Sequence, residues 1–456
     1  MATEVELFEF NDIPTRPGLR GYMNVNGDAK ISAGGVDMPT FATDPLTGAV
    51  TGLVGPGGAS VMTIRNGQVA NRCGFSSSVY AGYKQCMNRS AHRATENLTS
   101  VKLVFGNWGM NGGTEQANDA AATIECSIEY PVDTYTRVTF SSANIGNMAS
   151  GANITSDAVK VSIPKGAVFY VRNLVTSPNT TTGLYGTDNT YVHSSGAGSY
   201  LEGQKWNASY PGTDYSVSGN LVMTKGTGGT SGNNDGFNAL HPLYRPLAII
   251  AQTVNPSVLI AGDSIAMGAK DGVDTQLAAG FYERALKVGT INVARSGEQI
   301  IALMGGSNFT RRAALYQYCS HVIVAFGTND VFVASAAAAT IITNINTLIS
   351  TYFANFPVYV STVIPQVTTS DAYITEANQT VKAQESVRLT LNNSIRSGGV
   401  VGAVGVFDID QIISNSYTGG KFKTFGTGAT LTTDGVHPNQ LGNGYTAAQL
   451  NVSLIR

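Results

Sequence analysis

The sequence is poor in charged residues. It holds 28 Lys and Arg and 30 Asp and Glu among 456 residues, so 13% of the chain is charged, against about 25% in an average soluble domain. The net charge of −2 provides no field that would attract nucleic acid or an anionic membrane. The composition therefore excludes proteins that act through a basic surface, and Ser, Thr, Asn and Gly have to form the polar surface.

Long apolar runs and cysteine motifs are also missing. No stretch approaches about 18 consecutive apolar residues without a charge, which excludes a transmembrane helix. The four cysteines show no CxxC spacing, which excludes a zinc knuckle and a thioredoxin motif. Cys73 and Cys86 could form a local disulfide, although ordinary buried thiols are the simpler interpretation.

Glycine is abundant where charge is scarce. Gly accounts for 52 of the 456 residues, about 11% against a usual 7%. The hydrophobic content of 43% is too high for a disordered chain, and the length predicts two or three domains. The first ten residues, MATEVELFEF, are acidic where a secretory signal would be basic. We therefore expect either a signal that has been removed or release from the cell by another route.

The first half of the chain has a β pattern. Short runs rich in Val, Ile, Tyr, Phe and Thr are separated by Gly, Asn, Pro or Asp, at 101–105, 122–130, 135–140, 158–164 and 167–175. Ile124, Cys126 and Ile128 alternate with Glu125, Glu129 or small polar residues, as in a strand with one face in solvent. We predict a β-sandwich or jelly-roll-like domain over 96–245, after an irregular, β-prone segment at 1–95 that is a candidate attachment segment.

A Gly/Ser/Thr/Asn tract at 176–238 forms a long predicted loop within this domain. A loop of this length is usually functional or disordered. Its aromatic residues could stack on sugars or could belong to the core of the sandwich, and the sequence supports both interpretations equally. These residues are Tyr185, Tyr191, Tyr200, Trp206, Tyr210 and Tyr215.

From about residue 247 the pattern changes to that of a parallel sheet. Apolar runs at 258–261, 291–294, 322–326, 358–363 and 400–407 are typical of buried strands. Helical patterns lie between or after them at 276–288, 336–354, 375–396 and 440–454. This alternation predicts βαβ units, with chemistry at the carboxyl ends of the strands.

Three polar segments lie at these strand ends or just before the last helix. Gly262-Asp263-Ser264-Ile265 follows the first strand and Gly327-Thr328-Asn329-Asp330 follows the third. Thr433-Asp434-Gly435-Val436-His437-Pro438 precedes the last helix. A Ser at a strand end, a His and a nearby carboxylate are the groups that nucleophilic catalysis requires.

Together with Ala294-Arg295-Ser296-Gly297 after the second strand, these segments resemble the four blocks of the SGNH (GDSL-type) hydrolases. The resemblance covers about residues 255–456. It implies a flavodoxin-like three-layer α/β/α domain with a parallel sheet at 246–456, and a carboxylic ester hydrolase that needs no cofactor. His92, His193, His241 and His321 show no ligand spacing, so we expect no metal.

The resemblance also implies a role for each residue. Ser264 would be the nucleophile, His437 the base and Asp434 the residue that orients the base. The backbone N–H groups of Ser264 and Gly297 and the amide of Asn329 would form the oxyanion hole. At Gly297 a side chain would crowd the acyl oxygen.

Structural interpretations stand beside these roles. Ser264 could cap a helix, Asp434 and Asn329 could cap turns, and His437 could be a satisfied structural residue. Four blocks in the family's order favour catalysis. No GxSxG elbow surrounds Ser264, which separates the chain from the α/β-hydrolases.

Other ionisable residues near the motifs are assigned structural roles. Asp263 and Asp330 are expected to hold the strand-end loops, and Asp408 and Asp410 to end the last strand. Arg295 could contact the substrate or form a salt bridge at the rim of the site.

Three features favour an O-acetyl ester of a carbohydrate as the substrate: the absence of a long apolar lid, the preceding β-rich region and the aromatic tract. Alternatives are a secreted bacterial lipase or acyl esterase of the same family and a non-catalytic glycan-binding or structural virion protein. The charge-poor surface and the start of the chain favour an extracellular location, with a phage tail component ahead of a secreted bacterial enzyme. The expected partner is an acetylated glycan, without nucleic acid or membrane insertion. A homo-oligomer is also expected, a trimer if the protein is a tail component.

Overall fold

The computed structural model describes residues 64–77, 84–178, 244–271, 277–306, 309–416, 419–426 and 428–455, together with the backbone of strands within 5–63, 78–80, 184–186 and 203–207. The chain forms two compact units. One comprises Met1–Gly67 and Gln252–Asn255, and the other comprises Gln68–Ala251 and Pro256–Arg456. The second unit begins well before residue 95, where the sequence predicted a domain boundary. Strands within 68–95 pair with strands of the later antiparallel sheets and of the parallel sheet.

The first unit contains a seven-stranded antiparallel sheet in the order β1-β2-β3-β5-β6-β7, in which β4 pairs with β3. Its strands are β1 Val5–Phe10, β2 Leu19–Met23, β3 Ala29–Ala33, β4 Val36–Asp37, β5 Thr40–Thr43, β6 Val50–Val54 and β7 Met62–Thr63. The segment predicted as irregular and β-prone is thus rich in strands, and these strands form a meander. Its strands are short and interrupted by Gly and Asp, which weakens the alternation that sequence reading depends on.

The second unit has two larger antiparallel sheets before the hydrolase-like region. One runs in the order β16-β15-β20-β11-β22 with β17 on β15, and the other in the order β18-β12-β23-β8 with β19 on β12. The strands, including the hairpin of β13 and β14 and the separate pair of β10 and β21, are β8 Arg65–Gln68, β9 Cys73–Gly74, β10 Ser78–Tyr80, β11 Gln85–Arg93, β12 Leu98–Gly106, β13 Trp108–Asn111, β14 Thr114–Ala117, β15 Ala122–Glu129, β16 Tyr135–Val138, β17 Gly146–Met148, β18 Asn153–Thr155, β19 Val159–Ile163, β20 Val168–Thr176, β21 Leu184–Gly186, β22 Gly203–Asn207 and β23 Ala248–Thr253. The β-rich region predicted ahead of the catalytic domain is confirmed.

The tract at 176–238 is more ordered at two points than predicted. Strand β21 pairs with β10, and β22 pairs with β11. Tyr185 and Trp206 therefore lie in strands, because pairing with an existing strand satisfies the backbone of a sequence with little pattern of its own. Tyr191, Tyr200, Tyr210 and Tyr215, like His193 and His241, lie outside the described residues.

Strand β15 departs from the predicted alternation at its end. Ile124, Cys126 and Ile128 are buried as expected, but Glu129 is fully buried as well. Glu129 accepts hydrogen bonds from Arg89 at 2.7 Å and from Arg172 at 2.6 Å. These two guanidinium groups replace the solvent that the pattern assigned to this face.

A six-stranded parallel sheet forms the C-terminal half, in the order β30-β27-β26-β24-β25-β9. Its strands are β24 Ser257–Gly262, β25 Gly289–Asn292, β26 His321–Ala325, β27 Val358–Ser361 and β30 Ala403–Phe407, with β9 at the edge, while β28 Val367–Thr369 and β29 Gln379–Val381 form a separate hairpin. Leaving β9 aside, the spatial order is 2-1-3-4-5, which is flavodoxin-like, and the order reverses between β24 and β26.

The helices cover both faces of this sheet. They are α1 Ser264–Met267, α2 Gly280–Leu286, α3 Ile300–Met304, α4 Thr310–Ala313, α5 Thr328–Phe332, α6 Ala338–Tyr352, α7 Glu385–Arg396, α8 Ile409–Ile413 and α9 Gln440–Gln449, with 3₁₀ turns at Ala314–Tyr318 and Val452–Leu454. Along β24, Leu259 and Ala261 join the core beneath α3, α6 and α7, whereas Val258 and Ile260 join the core beneath α1, α2 and α8. The predicted three-layer α/β/α arrangement is confirmed.

The helix predicted over 375–396 is wrong in its first half, because α7 begins at Glu385 and β29 precedes it. Asp371 organises this segment by accepting hydrogen bonds from the backbone N–H and hydroxyl of Thr375 and from the Asn378 amide. Such local side-chain bonds compete with helix formation. In the described part of the chain, no helix is long and apolar enough to cross a bilayer.

Candidate active site

Ser264 lies at the switch point of the parallel sheet. Strand β24 ends at Gly262, and α1 begins at Ser264 after Asp263, whose carboxylate accepts a hydrogen bond from the N–H of Ile265 at 2.9 Å. Asp263 therefore caps the helix, and the Ser264 side chain is not needed for this role. Ser264 is 4% exposed, at the place where an open α/β sheet binds its ligands.

His437 and Asp434 complete a hydrogen-bonded chain to this hydroxyl. The Nε2 atom of His437 is 2.9 Å from Oγ of Ser264, and Nδ1 is 2.8 Å from Oδ2 of Asp434. An ionised carboxylate can only accept, so the proton lies on Nδ1 and leaves Nε2 as the acceptor of the Ser264 hydroxyl. This is the tautomer that a general base requires.

The turn between Asp434 and His437 is built from local bonds. Oδ1 of Asp434 accepts hydrogen bonds from the N–H groups of Val436 at 2.9 Å and His437 at 2.8 Å. Gly435 has φ of +75°, a conformation that residues with a side chain rarely adopt. The turn therefore brings the side chains of Asp434 and His437 together, with Oδ1 used by the backbone and Oδ2 left for the imidazole.

The carboxylate of Asp434 is held ionised. Partial burial opposes its charge, but the hydrogen bonds from the backbone and ring of His437 and the backbone of Val436 outweigh burial and lower its pKa. Asp434 therefore stays an acceptor for the ring at neutral and mildly acidic pH.

The predicted oxyanion-hole residues follow the first three strands of the parallel sheet, Ser264 at the start of α1, Gly297 in the loop after β25 and Asn329 in α5. Gly297 follows β25 with φ of +74°, and a Cβ placed on it would meet nothing within 4 Å. Backbone conformation is therefore what requires glycine here, and the open space above it is available to a substrate. Asn329, after β26, donates its Nδ2 to the carbonyl of Glu298 at 3.1 Å.

The remaining motif residues have structural partners. Asp330 is fully buried, and its carboxylate accepts hydrogen bonds from the N–H groups of Ile300 and Ile301, both at 3.1 Å. These two bonds cap the start of α3. Asp408 and Asp410 form salt bridges with Arg396. The backbone N–H of Arg295 binds the carbonyl of Gly262, and its guanidinium lies near Gly113 at the tip of hairpin β13–β14.

Three charged residues beside the loop of Gly297 were not predicted from the sequence: Glu115, Glu298 and Arg312. Arg312 bonds to both carboxylates, and all three side chains are buried. No signal in the sequence could have found this cluster, because Glu115 and Arg312 are 197 residues apart and belong to no motif.

The cysteines and histidines of the described residues form neither a disulfide nor a metal-binding cluster of three or more side chains. All four cysteines are free and buried, so Cys73 and Cys86 are not bridged, and burial raises the pKa of Cys73 to about 12. No cluster of three His, Cys, Asp or Glu side chains able to hold a metal occurs in the described part of the chain.

Comparison with known proteins gives one family match. Residues 258–450 match the family model described as GDSL-like lipase/acylhydrolase. No curated protein matches the chain.

Solved structures that match the chain include a GDSL-like lipase from Bacteroides thetaiotaomicron, which is 19% identical over 42% of this chain and 84% of its own, with a TM-score of 0.30. A family two carbohydrate esterase from Clostridium thermocellum is 13% identical over 84% of this chain and 94% of its own, also at 0.30. A carbohydrate acetylesterase family member from Sinorhizobium meliloti is 14% identical over 42% and 94%, at 0.28.

Proposed function

Over residues 258–450 the chain is an SGNH (GDSL-type) hydrolase, and from this premise we propose a serine esterase whose triad is Ser264, His437 and Asp434. The observation that carries the proposal is the continuous hydrogen-bonded chain from Oγ of Ser264 through His437 to Asp434, with contacts of 2.9 and 2.8 Å. Nucleophile, base and orienting carboxylate are the minimum set for activating a hydroxyl near neutral pH.

In the proposed mechanism, Nε2 of His437 removes the Ser264 hydroxyl proton while Oγ attacks the acyl carbon. The carbonyl oxygen becomes an oxyanion that the N–H groups of Ser264 and Gly297 and the Asn329 amide would stabilise. When the intermediate collapses, the ester C–O bond breaks, and His437 returns its proton to the departing alcohol. Water then attacks the acyl-enzyme by the same route, releasing the acid and restoring the Ser264 hydroxyl.

We further propose that the acyl group is short, an O-acetyl group on a carbohydrate. Each of the nine α-helices in the described chain has buried residues, so none of them is left over as an apolar lid for a fatty chain. A chain in which only 13% of residues are charged also suits a neutral, hydroxyl-rich ligand. A lipase or acyl esterase of the same family is the alternative.

Replacement of Ser264 by Ala tests the triad. Aryl acetate hydrolysis should fall by about 10⁴-fold or more, because removing the nucleophile of a Ser-His-Asp triad removes nearly all catalysis by the unit. Thr343→Ala, on the exposed face of α6, is the control and should keep full activity. Equal rates for Ser264→Ala and the wild type would refute the triad.

The substrate is tested separately with the wild type. Acetate release from aryl acetates and acetylated polysaccharides should exceed the cleavage of long-chain aryl esters. Faster cleavage of the long-chain esters would favour the lipase alternative. Mass spectrometry of acetylated glycans before and after incubation would identify the substrate directly.

A tail component of a phage that deacetylates host surface polysaccharide is our proposal for the biological setting. It is supported by the charge-poor composition. A secreted bacterial enzyme is the alternative, and a non-catalytic binding or structural protein would not require the hydrogen-bonded triad. Detection of the protein in purified phage particles, as a trimer, would support the tail proposal.

A further inference from the structure

A buried chain of charges joins the β-rich region to the loop that carries Gly297. On β14, Glu115 accepts hydrogen bonds from the backbone N–H groups of Arg311 at 2.7 Å and Arg312 at 3.0 Å. The guanidinium of Arg312 also contacts Glu115, with Nε at 3.3 Å from Oε1. Glu115 therefore holds both the beginning of α4 and the side chain of Arg312.

Arg312 in turn clamps both ends of the loop at residues 293–298. Its Nη1 and Nη2 atoms donate to the two carboxylate oxygens of Glu298, both at 2.8 Å, and Nη1 also donates to the carbonyl of Val293 at 3.2 Å. The side chains of Glu115, Arg312 and Glu298 are 1%, 0% and 3% exposed. Because these side chains are shielded from water, the bidentate guanidinium–carboxylate contact fixes the orientation of the Glu298 carboxylate as well as its distance from Arg312.

The clamped loop also orients the Asn329 amide. The carbonyl of Glu298 accepts one proton of Asn329 Nδ2, which fixes the plane of the amide and leaves the second proton for another acceptor. Gly297, the neighbour of Glu298, carries the proposed backbone donor. Two of the three proposed oxyanion donors therefore depend on the position of Glu298.

We propose that Glu115 is a positioning residue for the oxyanion hole, acting through Arg312 and Glu298 on the donors at Gly297 and Asn329. A residue of the β-rich region thus completes the active site of the hydrolase domain. The inference rests on the proposed function of Ser264 but goes beyond it, since it makes the hairpin β13–β14 part of the catalytic apparatus. Glu115 does not touch the reacting atoms, and its effect is on geometry alone.

Glu115→Gln in the full chain is the test variant. One carboxylate oxygen becomes an amide group that faces an N–H donor, so one bond to α4 is lost and Arg312 shifts. For aryl acetate hydrolysis, kcat should fall about 10-fold per titrated active site, less than the 10²–10³-fold that loss of a whole oxyanion donor costs. KM should change less than about twofold, because the ground-state carbonyl does not use these donors fully.

Glu129→Gln is the matched control. Glu129 is also a buried carboxylate, and the arginines that hold it, Arg89 and Arg172, lie on β11 and β20 and not on the loop at 293–298. It should lower Tm while leaving kcat per active site unchanged. Affinity for a phenylboronic acid, which forms a tetrahedral adduct on the serine, should fall in parallel with kcat in Glu115→Gln only.

A double-mutant cycle tests the route of the effect. Asn329→Ala should lower kcat by about 10²-fold. Adding Glu115→Gln should lower kcat further by clearly less than 10-fold, because one of the two donors that Glu115 positions is already gone and only the Gly297 donor can still be displaced. A full further 10-fold loss in the double variant would mean that the effect of Glu115 does not pass through Asn329 and would overturn the inference. If Glu115→Gln does not fold, Glu298→Gln tests the same set of contacts by weakening the bonds between Arg312 and Glu298. An unchanged kcat in Glu298→Gln would also overturn the inference.

The two proposals fail differently. If Glu115→Gln keeps the wild-type kcat while Ser264→Ala abolishes activity, the positioning role of Glu115 is refuted and the proposed esterase function stands. Wild-type activity in Ser264→Ala removes the proposed function itself.

Discussion

At the scale of single residues, the site combines one local and one long-range contact. Asp434 and His437 are three positions apart, and backbone bonds around Gly435 bring them together without help from the rest of the fold. Ser264 is 173 residues away from His437 and reaches it only because the sheet brings the end of β24 beside the segment before α9. Spacing alone therefore predicts the first contact, whereas the second requires the tertiary structure or a family resemblance.

Asp263, next to the proposed nucleophile Ser264, should make stability depend on pH. Burial, reinforced by the charge of Asp330, raises its pKa from 3.8 to about 7, although the bond from Ile265 opposes the shift. From about pH 4 to about pH 7 the folded chain keeps a proton that the unfolded chain releases, so its contribution to stability falls as pH rises through this window. Asp263→Asn keeps the acceptor for Ile265 and is neutral at every pH.

We therefore expect the difference in Tm between pH 5 and pH 8 to be smaller in Asp263→Asn than in the wild type. Thermal unfolding followed by circular dichroism at the two pH values measures it. Thr343→Ala on the exposed face of α6 removes no titratable group, serves as the control and should keep the wild-type difference. An unchanged difference in Asp263→Asn would show that this carboxyl ionises normally in the folded chain.

At the scale of elements, buried strands are predicted better than the helices between them. The five strands expected from apolar runs all occur. β24, β25, β26 and β27 are buried along nearly their whole length, and a strand buried on both faces must be apolar throughout. The edge strand β30 is only partly buried, with Val404 exposed. The segment at 375–384 has helix-forming residues but follows Asp371, whose side-chain bonds fix a different local structure. Local propensity is a weak signal when a single side chain can satisfy several backbone and side-chain donors.

The start of α9 is the element most directly tied to the site, because it follows the His437 segment. Asn439 caps it, accepting the N–H of Gly442 at 2.9 Å and donating to the carbonyl of Thr430 at 2.8 Å. Asn439→Ala should lower the free energy of unfolding by about 1 kcal/mol, as is typical for the loss of a helix cap. Urea denaturation measures this change, with Asn344→Ala in the middle of α6 as a control expected to be close to neutral. A loss in Asn439→Ala no larger than in the control would contradict the capping role.

At the scale of the whole molecule, the β-rich region and the parallel sheet share one core. Ile124 and Leu103 of the antiparallel sheets lie in the same buried cluster as Leu259 and Val324 of the parallel sheet. Strand β9 adds a sixth strand to the edge of the parallel sheet through its pairing with β25. The C-terminal half therefore depends on earlier residues for part of its core and one of its edges.

Truncation should separate these contributions. A chain beginning at Ile64 lacks the meander β1–β7 and should keep the kcat/KM of the full chain for aryl acetates, because the second compact unit begins at Gln68. A chain beginning at Pro246 loses β9, Glu115 and much of the shared core, and should be insoluble or fail to unfold cooperatively. Circular dichroism and calorimetry distinguish the two, and a cooperative, active chain from Pro246 would contradict the dependence.

The sequence by itself determined the alternation of strands and helices, the polar segments at strand ends and the local pairing of Asp434 with His437. These features depend on periodicity and on residues a few positions apart, which a linear pattern records. Only the tertiary structure decided that β9 joins the parallel sheet, that Glu129 is buried between two arginines, and that Glu115 reaches Arg312. Each of these contacts joins residues distant in sequence, and each involves a polar or short segment whose partners supply the bonds that water would otherwise provide.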